Sequence, residues 1–261
     1  MDLSKLISSA AIEAGIKILK IYEQEFTVEY KSDESPLTLA DKMAHEVIVS
    51  FLEKTPYPVL SEEGSRIPFE DRKNWPSYWL IDPLDGTKEF VKRNGEFTVN
   101  IALIKNNVPV LGVVYAPVKQ WLYVGASGEG AWKLELTEHQ LPDNWKEAGK
   151  SLPLKAAEGR KYTVVGSRSH RSEETEAFVA RLQEEHGEVA FVSMGSSLKL
   201  CLVAEGVADI YPRLAPTMEW DTAAGDAIAR SAGCSVVQYH TGTPLQYNKE
   251  NLLNPWFVVK R

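Results

Sequence analysis

The chain has 261 residues, 44% hydrophobic and 25% charged, with a formal net charge of −7. These are the proportions of an ordinary globular protein, and the acidic surplus argues against a binder of nucleic acid polymers, which would need a basic face. No apolar run approaches the ~20 residues that cross a bilayer. The start, Met1-Asp2-Leu3-Ser4-Lys5, lacks the basic and apolar segments of a signal peptide, and Cys201 and Cys234 read as reduced core thiols. The expected place is therefore the cytosol.

Residues 2 to about 24 place Leu3, Leu6, Ile7, Ala10, Ala14, Ile18 and Ile21 at helical spacing. Val28–Lys31 is a short strand candidate, followed by the polar turn Lys31-Ser32-Asp33-Glu34-Ser35-Pro36. A second helix runs from there to about Lys54, with Thr38 as N-cap and Asp41 as its capping partner. Val59-Leu60-Ser61 then ends on Glu62-Glu63-Gly64, and in a strand only one of two adjacent acids can face an inner site.

The next stretch carries the most chemistry. Trp79-Leu80-Ile81 runs into Asp82-Pro83-Leu84-Asp85-Gly86-Thr87, a buried strand ending on two carboxylates and a turn. Two acids this close repel unless a positive charge sits between them. Carboxylates, a backbone carbonyl and turn amides suit a divalent cation and a phosphate, but Asp-Pro and Asp-Gly are equally the dipeptides of a surface turn.

Runs at Phe97–Ile104, Val110–Tyr115, Trp121–Gly125 and Ala131–Leu136, separated by turn signals, predict an antiparallel sheet. Residues 137–160 are polar and turn-rich, and divide the chain into residues 1–155 and residues 156–261. The second part alternates strand and helix: strands at Tyr162–Gly166, Val189–Val192, Ala208–Tyr211, Ser235–Tyr239 and Trp256–Val259, helices at Glu173–Glu185, Ser197–Glu205 and Asp221–Ala232. Such alternation predicts an α/β layer. Three polar islands follow strands or open helices: Ser167-Arg168-Ser169-His170, Gly195-Ser196-Ser197-Leu198-Lys199 and Tyr211-Pro212-Arg213. Free amides at a helix start and an Arg fork both match phosphate oxygens, although each island alone also fits an ordinary cap or loop. Asp221, in Trp220-Asp221-Thr222-Ala223-Ala224-Gly225, alone reads as a helix N-cap.

Taken together, Glu62-Glu63, Asp82-Pro83-Leu84-Asp85-Gly86-Thr87 and Trp220-Asp221-Thr222-Ala223-Ala224-Gly225 resemble the magnesium-dependent, lithium-sensitive phosphatases of the inositol monophosphatase superfamily. Lys88-Glu89-Phe90 and the three polar islands are similar to the bisphosphate-nucleotidase branch, while Ser61 stands where relatives often have glycine. The resemblance implies an α+β fold, an α-β-α-β-α layered sandwich with an antiparallel sheet in its N-terminal part. It implies that Glu62, Asp82, the Leu84 carbonyl, Asp85 and Asp221 hold two or three Mg²⁺ ions, with Asp33 and Thr87 activating the attacking water. Gly86 and Thr87 would cradle the scissile phosphate. His170, Ser196, Lys199 and Arg213 would bind the nucleoside and its retained 5'-phosphate. The implied substrate is 3'-phosphoadenosine 5'-phosphate, cleaved to AMP and phosphate to clear a by-product of sulfate assimilation and sulfotransfer. The chain would act as a monomer or homodimer, with peripheral membrane association left open.

The alternatives are inositol or broader sugar phosphatase activity, and a non-catalytic nucleotide or metal sensor. A haloacid-dehalogenase site, with acids two apart and a covalent aspartyl intermediate, fits poorly, because here they are three apart around Pro83. A calcium loop lacks its alternate-residue ligands.

Overall fold

A computed structural model of the chain describes residues 2–24, 36–64, 66–155, 159–167 and 172–261. The predicted strand at Val28–Lys31 and the candidate site residues Asp33 and His170 lie outside the described residues. Helix α1 (Leu3–Tyr22) opens with the Asp2 carboxylate accepting from the Lys5 amide at 3.2 Å, which satisfies one of the amides a first turn leaves free. Helix α2 (Pro36–Leu52) begins before Thr38, which corrects the expected Thr38 cap. Proline has no amide to lose and its φ is preset for a helix, so it takes the first position. Asp41 is therefore an interior helix residue and needs another explanation.

Then come β1 (Val59–Ser61), α3 (Phe69–Arg72), β2 (Ser77–Asp85), α4 (Thr87–Val91), β3 (Thr98–Lys105), β4 (Val108–Ala116), β5 (Trp121–Ala126), β6 (Gly130–Glu135), α5 (Trp145–Ala148) and β7 (Lys150–Leu152). The strands β1 to β7 form one sheet in chain order, with β1 parallel to β2 and every later pair antiparallel. The remainder comprises β8 (Tyr162–Gly166), α6 (Glu173–His186), β9 (Val189–Ser193), α7 (Leu198–Glu205), β10 (Ile210–Arg213), α8 (Glu219–Ser231), β11 (Ser235–Gln238) and β12 (Phe257–Lys260). Their sheet runs β11-β12-β10-β8-β9, and β8 pairs in parallel with both β9 and β10. Among the predicted elements, the strand expected at Ala208–Tyr211 lies two residues later. The short α3, α5 and β7 were not anticipated, because three or four residues carry no readable period.

The layering follows from which faces are apolar. On β2, Trp79 and Ile81 join a buried cluster with Ile7, Ala11, Ala44 and Ile48 of the first two helices. Tyr78 and Leu80, pointing the other way, join Leu200, Ala224 and Ile228 of α7 and α8, and Tyr211 and Phe257 of the second sheet. The strand therefore reads as an unbroken apolar run: both faces are covered. A third cluster, Val164, Ile210 and Val258 against Leu182 of α6, closes the outer face of the second sheet. The result is helix pair, sheet, helix pair, sheet, helix.

Glycines let α8 sit directly on the first sheet. A Cβ at Gly112 would lie 2.4 Å from the Ala224 carbonyl oxygen, and one at Gly125 would lie 2.4 Å from Ile228 Cα. No side chain at either strand position would fit without moving the helix that carries Asp221.

Candidate active site

Three separate elements bring acids to the carboxyl end of β2. Asp82 pairs with Asn100 on β3, but the next aligned pair is Asp85 with Thr98, so β2 carries one extra residue between them. Residues three apart on a regular strand face opposite sides; the bulge at Pro83 and Leu84 lets both carboxylates turn to one side. The Leu84 amide donates to Asp82 Oδ1 at 3.1 Å, folding the carboxylate over the proline turn. Parallel pairing of β1 with β2 brings Glu62 alongside, its amide donating to the Ile81 carbonyl at 3.2 Å. Asp221 lies in the first turn of α8 rather than at its cap, and its carboxylate accepts from the Met218 amide at 2.9 Å.

Oxygens of Glu62, Asp82 and Asp221 all lie within 4.8 Å of one another. Asp82 is 1% exposed. Burial pushes its carboxyl well above the usual range, and the charges of Asp85, Glu62, Asp221 and Asp41 push it further. Asp221 is pushed up to about 7, by burial first and by Asp85 next. Glu62 moves the same way, again chiefly by burial. Among the described residues no lysine or arginine forms an ion pair with these three acids. A set of hard oxygen donors that repel one another, with burial and mutual repulsion outweighing what Arg213 and the Met218 amide offset at Asp221, fits a divalent cation.

Asp41 belongs to this cluster, and the sequence reading missed it. It is 7% exposed, and its Oδ1 is buried without a hydrogen-bond partner. Its pKa rises to about 8, from burial first and then from Glu63 and Glu62. One turn on, His45 Nδ1 lies 2.9 Å from Ser61 Oγ, tying α2 to the end of β1. The available signal was positional: Asp41, Ala44 and Ile48 share one side of α2, so an acid sits on the helix's buried face.

The turn before α7 adds a polar layer from the second half of the chain. The Gly195 amide donates to Glu96 Oε2 at 2.8 Å, and Ser196 Oγ donates to the Glu96 carbonyl at 2.6 Å. Ser197 Oγ lies 2.7 Å from Asp85 Oδ2, and Asn100 Nδ2 lies 2.8 Å from Ser197 Oγ. Lys199 is 6% exposed and donates to the Ser196 carbonyl at 2.5 Å. Its pKa falls to about 8, because burial outweighs the nearby charge of Asp85. Arg213 donates to the Pro216 carbonyl at 2.8 Å. Asp85, Ser196, Lys199, Arg213 and Asp221 line one small cavity of ≈ 60 Å³. A larger cleft of ≈ 910 Å³ opens beside Glu62, lined by Arg66, Phe69, Trp220 and Leu252 among others.

The structure thus brings Glu62, Asp82 and Asp221 together, and sets Asp85, Ser196, Lys199 and Arg213 beside them. Gly86 has φ +95 and caps α4, a conformation that glycine adopts without strain. Thr87, the first residue of that helix, is exposed. Leu84 is buried in the turn between the aspartates. Cys201 and Cys234 are free and buried, and no helix among the described residues is long and apolar enough to cross a membrane.

Comparison with known proteins identifies the family of the whole chain. The model of the inositol monophosphatase family matches residues 2–256. The 3'(2'),5'-bisphosphate nucleotidase CysQ of Salmonella typhimurium is 48% identical over 258 residues, covering 97% of each chain. Its Escherichia coli K12 counterpart is 47% identical with the same coverage. The crystal structure of CysQ from Bacteroides thetaiotaomicron, a bacterial member of the inositol monophosphatase family, superposes with a TM-score of 0.92 at 53% identity, covering 98% of this chain and 96% of that one.

Proposed function

The chain belongs to the inositol monophosphatase family, and from that premise we propose that it is a 3'(2'),5'-bisphosphate nucleotidase, removing the 3'-phosphate of 3'-phosphoadenosine 5'-phosphate to leave AMP. The observation that carries the reading is the convergence of three carboxylates within 4.8 Å beside a buried lysine and an arginine. The similar bacterial proteins that bear the nucleotidase name support the choice of substrate.

In this reading Glu62, Asp82, Asp85, Asp221 and the Leu84 carbonyl would hold two or three Mg²⁺ ions. When bound, the cations supply positive charge that acidifies water and neutralises phosphoryl oxygens. The chain does the rest. Amides of Gly86 and Thr87 hold the scissile phosphate against the strand end. Thr87 orients the attacking water and a carboxylate takes its proton; water is the nucleophile, and no bond forms between protein and phosphorus. Asp41 suits that role on the observed geometry, with a buried acceptor oxygen free of protein donors. Asp33, expected there from the resemblance, lies outside the described residues, as does His170. Lys199 and Arg213 meet the 5'-phosphate and Ser196 the nucleoside, which gives an acidic chain its local affinity for an anion. We assign the enzyme to the cytosol, clearing the nucleotide by-product of sulfate assimilation and sulfotransfer.

A phosphate-release panel over bisphosphate nucleotides and sugar phosphates, with and without Mg²⁺ and Li⁺, tests this. The expected result is Mg²⁺-dependent, Li⁺-inhibited hydrolysis with a higher kcat/KM for 3'-phosphoadenosine 5'-phosphate than for inositol 1-phosphate. A higher value for the inositol ester would overturn the assignment. No release from any bisphosphate nucleotide would favour a sensor.

A further inference from the structure

We propose that Ser197, held by Asn100, is a positioning residue for the cation site: it fixes the Asp85 carboxylate and so sets the affinity for divalent metal. The inference rests on the reading of the acid cluster as a metal site.

The hydrogen-bond chain runs across the two halves of the molecule. Asn100 stands on β3, Asp85 at the end of β2, and Ser197 immediately before α7. Both Asn100 and Ser197 are 1% exposed, so water does not compete for their polar atoms. The proton directions follow from what each group can do. Asp85 as a carboxylate only accepts, so the 2.7 Å contact from Ser197 Oγ to Asp85 Oδ2 requires the hydroxyl to donate. The Asp221 carbonyl lies equally near, 2.7 Å from the same oxygen, but a hydroxyl has a single proton and the charged acceptor holds it more strongly. With its proton committed, Ser197 Oγ must accept from Asn100, which fixes that amide with Nδ2 as the donor at 2.8 Å. The same Nδ2 makes a longer 3.5 Å contact with Asp85 Oδ2. Asn100 Oδ1 is left buried and unpartnered, a cost the fold accepts to hold this orientation.

The consequence for Asp85 is specific. Its Oδ2 is occupied by protein donors, which leaves Oδ1 as the oxygen for a cation. Partners of this kind orient ligating carboxylates, and their removal typically weakens metal binding about 10- to 100-fold. Ser197 also touches the backbone of Asp221 on α8, so one hydroxyl registers the position of both acids.

The test uses the full chain, stripped of metal, with Mn²⁺ binding followed by electron paramagnetic resonance. Ser197→Ala is expected to raise the Mn²⁺ Kd about 10-fold or more, with the metal-free Tm within a few degrees of the parent. Asn100→Ala should weaken Mn²⁺ through the same chain, so the double variant should bind about as weakly as Ser197→Ala alone. Asp82→Asn serves as control and should abolish tight Mn²⁺ binding. If Asp82→Asn abolishes binding while Ser197→Ala leaves the Kd within about twofold of the parent, the proposal is overturned and the metal site stands. If Asp82→Asn itself leaves Mn²⁺ binding intact, the metal reading fails. A lowered Tm in Ser197→Ala with unchanged Mn²⁺ Kd would assign the serine a purely structural role.

Discussion

The molecule buries acids in two ways. Glu205, Glu219 and Asp226 each meet a cation from the chain itself: Lys133 Nζ at 2.9 Å, Lys249 Nζ at 2.5 Å and Arg230 Nε at 2.5 Å. Their remaining oxygens accept further bonds, from the Tyr123 hydroxyl at 2.8 Å, the Asn248 amide at 2.7 Å and the Tyr247 hydroxyl at 2.8 Å. At the end of β2, the buried Asp82 and Asp41 chiefly face other acids, the half-buried Asp221 and the exposed Glu62. Pairing keeps the fully buried Asp226 down to about 6, whereas the less deeply buried Asp41 reaches about 8. A carboxylate neutralised by its own chain is part of the fold. One left to repel its neighbours is arranged for something that arrives from outside.

The largest effects should come from reversing these roles. Asp82→Asn removes the most crowded acid, and phosphate release should fall by 10³-fold or more while Tm holds or rises, because a buried repulsion has gone. Steady-state kinetics beside a thermal melt checks both halves; a collapse in Tm would place Asp82 with the structural acids. The converse change is Lys133→Met, which keeps volume between the Trp121 and Tyr123 rings but strands Glu205. It should cost about 3–5 kcal/mol in urea unfolding, since an uncompensated buried charge is left behind, while the folded fraction keeps its kcat. Asp41→Asn is the sharper test of where the boundary lies. If Asp41 takes a proton from water, kcat should fall about 10²-fold with little change in KM or Tm, within the range for a lost general base.

The smallest effect is a pH dependence. Asp221 and Asp41 have folded pKa values near 7 and 8, above those of the unfolded chain. Between about pH 4 and 8 the native state holds more protons than the unfolded one, so metal-free stability should fall as pH rises through that window. A cation that takes the place of those protons relieves the loss. Mg²⁺ should therefore raise Tm by more at pH 8 than at pH 6, readable by scanning fluorimetry at matched ionic strength. An equal shift at both values would separate these acids from metal binding.

The sequence showed the cluster more clearly than its wiring. Glu62, Asp82 and Asp221 stood out because each ends a strand or opens a helix, and apolar runs flank them. The layered fold was anticipated through family resemblance; periodicity alone distinguished an antiparallel part from an alternating one, and could not show that α7 and α8 lie between the sheets. Asp41 was concealed because Thr38 three residues earlier imitates a capping box, and only the start at Pro36 removes that reading. Asn100 gave no signal, since a buried amide inside an apolar strand has an ordinary explanation, and Ser197 stood only within a polar island that pointed toward phosphate rather than toward Asp85. Their role depends on three elements meeting, which is tertiary information.

The seat of α8 on bare strand backbone has a consequence for how the protein tolerates change. With Gly112 and Gly125 admitting the helix at van der Waals contact, the position of Asp221 is set by two residues in the middle of a sheet, where valine or isoleucine would ordinarily be at home. A methyl group at either site would act as a wedge, lifting the helix and carrying one acid away from its partners. In a random mutagenesis library, the inactive clones should therefore include strand glycines alongside the acidic residues, and a comparison of chemically similar positions alone would never group the two.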